Sequence, residues 1–351
     1  MEGTLQALEE GVAEKSLDRK ASAGREVRKT FLRLGKFVLV LAGIWIVLYG
    51  VYAALPYTRP GVDLIYDAKV GDARGRQLFV TNRPNRVLIF GNSLVLSGFK
   101  PDMFDKLSVG QAESFNMGIP DELWFTGALR DLLANGQRPT HVLISIPWRE
   151  DGNKKRTLFN LIPDDGKFLS EVFPFRKMPR NLVLFSLLAR SHGGMGAFYR
   201  YARAGVEQMQ ADRGYYFIEG QSHYANDELP PDYTLEEDSP DKPYVRAVPS
   251  GGEEFAQLRA WSEQYHFDVY VVPIYLREHA ASVPPPSNVD TLKAIAPYPN
   301  VHLLGPDYFR FPNKLFSDNL HANPRGAEAY TRAIYDLISP YFKKDDSAAR
   351  H

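Results

Sequence analysis

Apolar and polar positions follow three rhythms along this chain. The first is a single long run: Phe37 to Pro56 reads FVLVLAGIWIVLYGVYAALP without a charge. About 20 such residues match the helix length that crosses a hydrocarbon core. A buried core helix is the other reading, although core helices seldom run so far without a polar residue. The second rhythm is a set of short, continuous apolar runs bounded by breakers. These are Arg86 to Phe90, His141 to Ile146, Phe267 to Ile274 and Val301 to Leu304, with Ser114 to Met117 as a short fifth. Such runs suit strands of a parallel sheet buried on both faces. The third is helical spacing between those runs, over Leu123 to Asn135, Glu253 to Tyr265 and Ala327 to Phe342. Asn323 is placed as the N-cap of the last helix, and Pro324 suits its first position. Strand–helix alternation predicts a doubly wound α/β sheet.

Residues 152 to 250 break this alternation. About 100 residues intervene where an α/β unit needs far fewer. Helical stretches (Leu182 to Arg190, Ala197 to Gln210) precede a polar, Pro- and Asp-rich stretch from Ser222 to Lys242. The expectation is an insertion over the strand ends, a lid or partner surface that shapes access and does not hold up the sheet. The expected organisation is therefore a tail over 1–36, a membrane span over 37–56, and a linker over 57–85. An α/β domain follows over 86–342, interrupted at about 152–250, with a tail over 343–351.

Charge orients the span. Lys15, Arg19, Lys20, Arg25, Arg28, Lys29, Arg33 and Lys36 precede it, and only Arg59 follows closely. The positive-inside rule keeps the N-terminus cytoplasmic and puts everything after residue 57 outside. A cleaved signal peptide fits less well, because the run is long, starts far from Met1 and lacks a small-x-small site at its end. The formal net charge is zero, so no global field points to nucleic acid as a partner. There is no cysteine, which excludes disulfides, thiolate catalysis and cysteine-ligated metals. His192 and His223 lack ligand spacing with other His, Asp or Glu residues, so no metal and no cofactor are assigned.

Two short motifs carry chemistry. Gly91-Asn92-Ser93 ends the first strand run, and open parallel sheets bind ligands outside the carboxyl ends of their strands. A serine hydroxyl becomes a nucleophile when a base stands within hydrogen-bond reach. The same tripeptide also occurs as a plain strand-to-helix turn. Asp318-Asn319-Leu320-His321 lies before the last helix. An aspartate three residues before a histidine can turn its carboxylate to the imidazole, select its tautomer and stabilise the imidazolium. A helix-capping aspartate beside a surface histidine is the alternative. Trp148, Trp124 and Tyr308 fall near loop ends, where aromatic faces stack on sugar rings or pack in the core.

In their order and separation these two motifs resemble the SGNH/GDSL hydrolase superfamily, over roughly residues 86 to 151 and 253 to 342. The resemblance implies a three-layer, flavodoxin-like parallel sheet. It implies Ser93 as nucleophile with Asp318 and His321 as its supporting pair. Asn116-Met117-Gly118 matches the family's second block, which implies that the N–H groups of Ser93 and Gly118 form an oxyanion hole; Gly118 before Ile119-Pro120 is also compatible with a turn. The family's Gly-x-Asn-Asp block is missing. Ile146-Pro147-Trp148-Arg149-Glu150-Asp151 stands in its place, and the third oxyanion donor is unassigned. Arg149 can supply it or be a salt-bridged arginine. Asn92, Asn116, Trp148 and Arg149 are the candidates for substrate contact.

The chain looks like the divergent, membrane-tethered branch that includes the D-alanyl-lipoteichoic acid transfer protein and exopolysaccharide O-acetylation proteins. That resemblance implies an O-acyltransferase, transferring acetyl groups to a cell-envelope polysaccharide or exopolysaccharide, with an integral-membrane acyl-donor protein as partner. It places a single-pass protein in the bacterial inner membrane with its catalytic domain periplasmic or extracellular. A simple esterase and a non-catalytic polysaccharide-binding or scaffold subunit of a secretion complex are the alternatives.

Overall fold

The computed structural model describes residues 29–59, 61–120, 125–145, 173–217, 222–236, 238–243, 253–282 and 298–343. Helix α1 (Lys29–Ala54) is, among these, the one helix long and apolar enough to cross a membrane; its mean hydropathy is 2.3 and none of its apolar window is buried. Its described part already includes residues 29–36, the basic stretch ahead of the apolar run.

The chain divides into two compact units. Among described residues the smaller holds residues 29–58 and 173–183, and the larger holds Arg59 to Ser145 and those from Leu184 onward. The larger unit opens with α2 (Gly61–Gly75), where the sequence reading placed a linker. Its glycines and aspartates obscured the helix. Ile65, Lys69 and Ala73, four residues apart, are nevertheless buried along one face, and packing supplies what propensity does not.

The remaining elements run in order β1 (Asn85–Gly91), α3 (Ser93–Gly98), α4 (Pro101–Leu107), β2 (Ala112–Asn116), α5 (Phe125–Ala134) and β3 (His141–Ser145). Then come α6 (Met178–Ala189), α7 (Met195–Ala211), β4 (Ser239–Pro243), α8 (Glu253–Tyr265), β5 (Asp268–Val271) and β6 (Ile274–Arg277). The last are β7 (Ala281–Ser282), β8 (Val301–Leu303), β9 (Tyr308–Phe311) and α9 (Pro324–Ile338). Five strands form one parallel sheet in the order β2-β1-β3-β5-β8. Two small parallel pairs, β4 with β7 and β6 with β9, stand apart from it.

The apolar runs are continuous because both faces of this sheet are covered. Leu88 and Phe90 of β1, Val142 and Ile144 of β3, and Val269 and Val271 of β5 enter one cluster with residues of α2, α5 and α8. Their neighbours Val87, Ile89, Leu143 and Tyr270 enter another with Phe104 of α4 and Tyr330, Ile334 and Ile338 of α9. Each fully buried side chain of this size contributes roughly 1.5–3 kcal/mol. The run Phe267 to Ile274 is two strands, not one. Val272 N–H makes the last bond toward the sheet, to Ile144 O at 2.9 Å. Pro273 has no N–H to continue it, and β6 leaves to pair with β9.

The described part of the insertion is tied to the core and is not a separable lid. Tyr216 N–H donates to Leu96 O and Asn116 N–H to Arg213 O, both at 3.0 Å. Met209 packs with Ile65 and Leu96, and Tyr215 and Phe217 pack with Ala327 of α9. Gly214 has φ +94°, and a Cβ there would lie 2.0 Å from Asn116 O, so only glycine lets the two backbones approach. Leu229, from the polar stretch, is buried in the α9-side cluster. Composition averaged over the stretch concealed these few anchoring residues.

Candidate active site

The Asp318–His321 turn is closed by its own carboxylate. Oδ1 of Asp318 accepts from Leu320 N at 2.8 Å and His321 N at 2.7 Å, and Oδ2 faces His321 Nδ1 at 2.8 Å. Ser317 N–H closes the loop on His321 O at 2.9 Å. The carboxylate accepts, so Nδ1 carries the proton and Nε2 holds the basic lone pair. Burial by itself pushes the pKa of Asp318 up, but the three hydrogen bonds from His321 and Leu320 outweigh it and hold the carboxyl below its usual range. Asn323 then caps α9, its Oδ1 accepting from Gly326 N at 3.0 Å, as the sequence predicts.

Ser93 opens α3 directly after β1. Asn92 is the N-cap, accepting from Leu94 N at 2.9 Å. Ser93 sits at the first helical position, where the N–H has no intrahelical acceptor. Gly91 is required by proximity: a Cβ there would lie 2.1 Å from Val95 Cγ2 and 2.8 Å from Ser145 O. Strand order reverses direction between β1 and β3, so Ser93 stands at the switch point of the sheet, where open α/β folds bind ligands.

The serine turn and the histidine loop are brought together by a residue that the sequence reading missed. Tyr275 of β6 donates its hydroxyl to Leu94 O at 3.0 Å and accepts from Ala322 N at 3.1 Å. Leu94 follows Ser93 and Ala322 follows His321, so one oxygen joins the two segments. The Ser93 hydroxyl and His321 Nε2 make no hydrogen bond to one another among the described residues. Such bonds commonly tighten only around a substrate.

Asn116 and Gly118 serve this turn differently from the expectation. Asn116 is wholly buried. Its Nδ2 donates to Val95 O, Leu96 O and Phe99 O at 2.7, 3.2 and 2.8 Å. Its Oδ1 accepts from Gly118 N at 2.8 Å. Asn116 therefore latches α3 from beneath and offers no surface to a substrate, which corrects its assignment as a substrate contact. The Gly118 N–H, expected at the oxyanion, is engaged by Asn116. Gly118 is glycine for close approach, since a Cβ would lie 2.4 Å from Leu96 N.

Lys69 sits beneath the same turn and was also missed. It is buried, and its Nζ donates to Gly118 O at 2.6 Å and Asn116 O at 2.8 Å. Burial pulls its pKa well below the usual lysine value. The available signal was its place in the Ile65–Lys69–Ala73 face of α2.

The former insertion cradles the histidine loop. Leu229 N–H donates to Phe316 O at 3.0 Å, the Ser222 hydroxyl to Ser317 O, and Asn323 Nδ2 to Asp227 O at 3.0 Å. Arg277 donates from Nε to Asn319 O at 2.9 Å and pairs with Asp238 at 2.6 Å. Tyr308, a candidate for sugar stacking, is buried in the α9-side cluster. Trp124, Trp148 and Arg149 lie outside the described residues. Comparison with family models, with curated proteins and with solved structures returned no match.

Proposed function

We propose that this protein is a membrane-tethered serine enzyme of ester chemistry, of the SGNH type, with a three-layer, flavodoxin-like catalytic domain. The observation that carries the reading is the Asp318–His321 pair: a carboxylate 2.8 Å from Nδ1 leaves Nε2 as the basic nitrogen, in a loop joined through Tyr275 to the helix that Ser93 opens. The strand order and the helices on both sheet faces are compatible with that fold.

In the proposed reaction His321 Nε2 takes the Ser93 proton as the oxygen attacks an acyl ester carbonyl. The Ser93 N–H faces the oxyanion. The imidazolium, stabilised by Asp318, returns the proton to the departing alcohol, leaving an acyl-serine. An acceptor hydroxyl, deprotonated in turn by His321, then attacks the acyl carbonyl; the bond to Ser93 breaks and the imidazolium returns that proton to the Ser93 oxygen. If that hydroxyl belongs to a cell-envelope polysaccharide the protein is an O-acyltransferase, and if it is water, an esterase. Tethering and the motif resemblance favour transfer of acetyl groups, supplied by an integral-membrane acyl-donor protein. The basic flank before Phe37 favours a cytoplasmic N-terminus and a periplasmic or extracellular catalytic domain. A second reading, a non-catalytic polysaccharide-binding or scaffold subunit, is favoured by the engaged Gly118 N–H.

Fluorophosphonate labelling of the full chain in membranes separates the two. Labelling should occur at Ser93 and vanish in Ser93→Ala. It should fall by about 100-fold or more in His321→Ala, the range of general-base removal. Acetylation of the polymer in cells should be lost in Ser93→Ala at unchanged protein abundance. Undiminished acetylation there would exclude transfer, leaving the esterase if Ser93 takes the label and the scaffold reading if it does not.

A further inference from the structure

We propose that Tyr275 is a positioning residue, a rigid brace whose single hydroxyl sets the spacing between the nucleophile turn and the histidine loop. The inference rests on the ester-chemistry reading above. Tyr275 is 0% exposed. Its ring lies 4.9 Å from that of Tyr330, 5.7 Å from Phe316 and 6.0 Å from Phe311. Helix α3 rests directly on this ring, since a Cβ at Gly98 would lie 2.6 Å from its Cε1. Packing alone would be satisfied by phenylalanine.

A buried hydroxyl costs free energy unless it is hydrogen-bonded, and this one is used in both senses, as donor to Leu94 O and as acceptor from Ala322 N. Those two backbone atoms follow the proposed nucleophile and the proposed base. A phenol has only χ1 and χ2 to vary, both fixed here by neighbouring rings, so the oxygen behaves as a fixed point. Serine-to-imidazole proton transfer is sensitive to such spacing, because a misplacement of about 1 Å can cost about 100-fold. Burial pushes the phenol pKa upward, so the hydroxyl stays protonated and keeps its donor role at physiological pH.

The test is the kinetics of fluorophosphonate labelling on the full chain in membranes. Tyr275→Phe keeps the ring and removes the brace. Its maximal labelling rate at Ser93 should fall by about 10-fold or more while the probe concentration for half-saturation stays constant. The matched variant Tyr330→Phe removes a hydroxyl of the same ring cluster, one bonded to Pro273 O and Ser145 Oγ, and should label like wild type. In a His321→Ala background, Tyr275→Phe should add no further loss, because the two act as one unit. A second measurement needs no variant: the Ala322 amide should resist hydrogen exchange as the sheet does, and rapid exchange there would overturn the brace. Equal losses in Tyr275→Phe and Tyr330→Phe would overturn it in favour of general packing. Wild-type labelling left unchanged by Tyr275→Phe would overturn the brace alone, whereas a wild-type chain that takes no label removes the enzymatic reading and the brace with it.

Discussion

Asp318 holds its turn with one oxygen and its histidine ring with the other, and that division makes a separable prediction. In Asp318→Asn the amide oxygen can still accept from Leu320 N and His321 N, so the turn survives. The amide nitrogen would then donate to Nδ1, moving the imidazole proton to Nε2 and removing the base. We expect Ser93 labelling to drop by about 100-fold or more with little change in Tm. In Asp318→Ala both the turn and the tautomer are lost, and Tm should fall as well. Another prediction concerns His141 of β3, whose ring stacks on Tyr270 and whose Nε2 lies 3.3 Å from Tyr341 O. Burial holds its pKa down at about 4. The unfolded chain takes up that proton near pH 6.5 and the folded chain does not. Its contribution to stability is therefore complete above about pH 6.5 and is lost as pH falls toward 4, at up to about 1.4 kcal/mol per pH unit. Denaturant melts of His141→Phe should show a shallower decline over that window than wild type, and parallel declines would show that another group dominates. The residues of the pair were legible because Asp-x-x-His closes locally. Tyr275, Lys69 and the latch role of Asn116 were not, because each acts on partners distant in sequence.

Among elements, the support of the histidine loop by Ser222, Asp227 and Leu229 replaces the idea of a dispensable lid. Leu229 is 1% exposed, and its N–H holds Phe316 O. Leu229→Ala should cost roughly 2–5 kcal/mol, as buried leucine truncations do. It should also slow Ser93 labelling at temperatures where the protein is still folded, because the cavity opens beside the loop. A fall in stability with unchanged labelling would mean that the loop is held by its own bonds. The buried pair Arg277–Asp238 makes a companion case: Asp238→Ala strands the guanidinium that donates to Asn319 O. Breaking such a pair costs about 3–5 kcal/mol, measurable by denaturant unfolding. Helix α8 and the cap of α9 could be read from the sequence, since helical spacing and an Asn-Pro start are local signals. Helix α2 and the departure of β6 from the sheet could not, because neighbours decide the first and the partner strand β9 the second.

At the scale of the whole molecule, α1 predicts membrane association. The full chain should resist alkaline extraction from membranes and become extractable when Phe37 to Ala54 is deleted. A reporter active only outside the cytoplasm, fused after Phe342, should be active, and activity of a cytoplasmic reporter there would reverse the proposed topology. Sequence alone determined the apolar span, the α/β alternation and the positions of Ser93, Asp318 and His321. These rest on run length, on period and on contacts made within a few residues. Tertiary structure alone decided which strands adjoin and that Met209, Tyr215, Phe217 and Leu229 are buried in the core clusters. It also decided that the Gly118 N–H is bound by Asn116 and that one tyrosine oxygen joins the serine and histidine segments. Those features depend on burial and on hydrogen bonds between residues far apart in the chain, which no local pattern encodes.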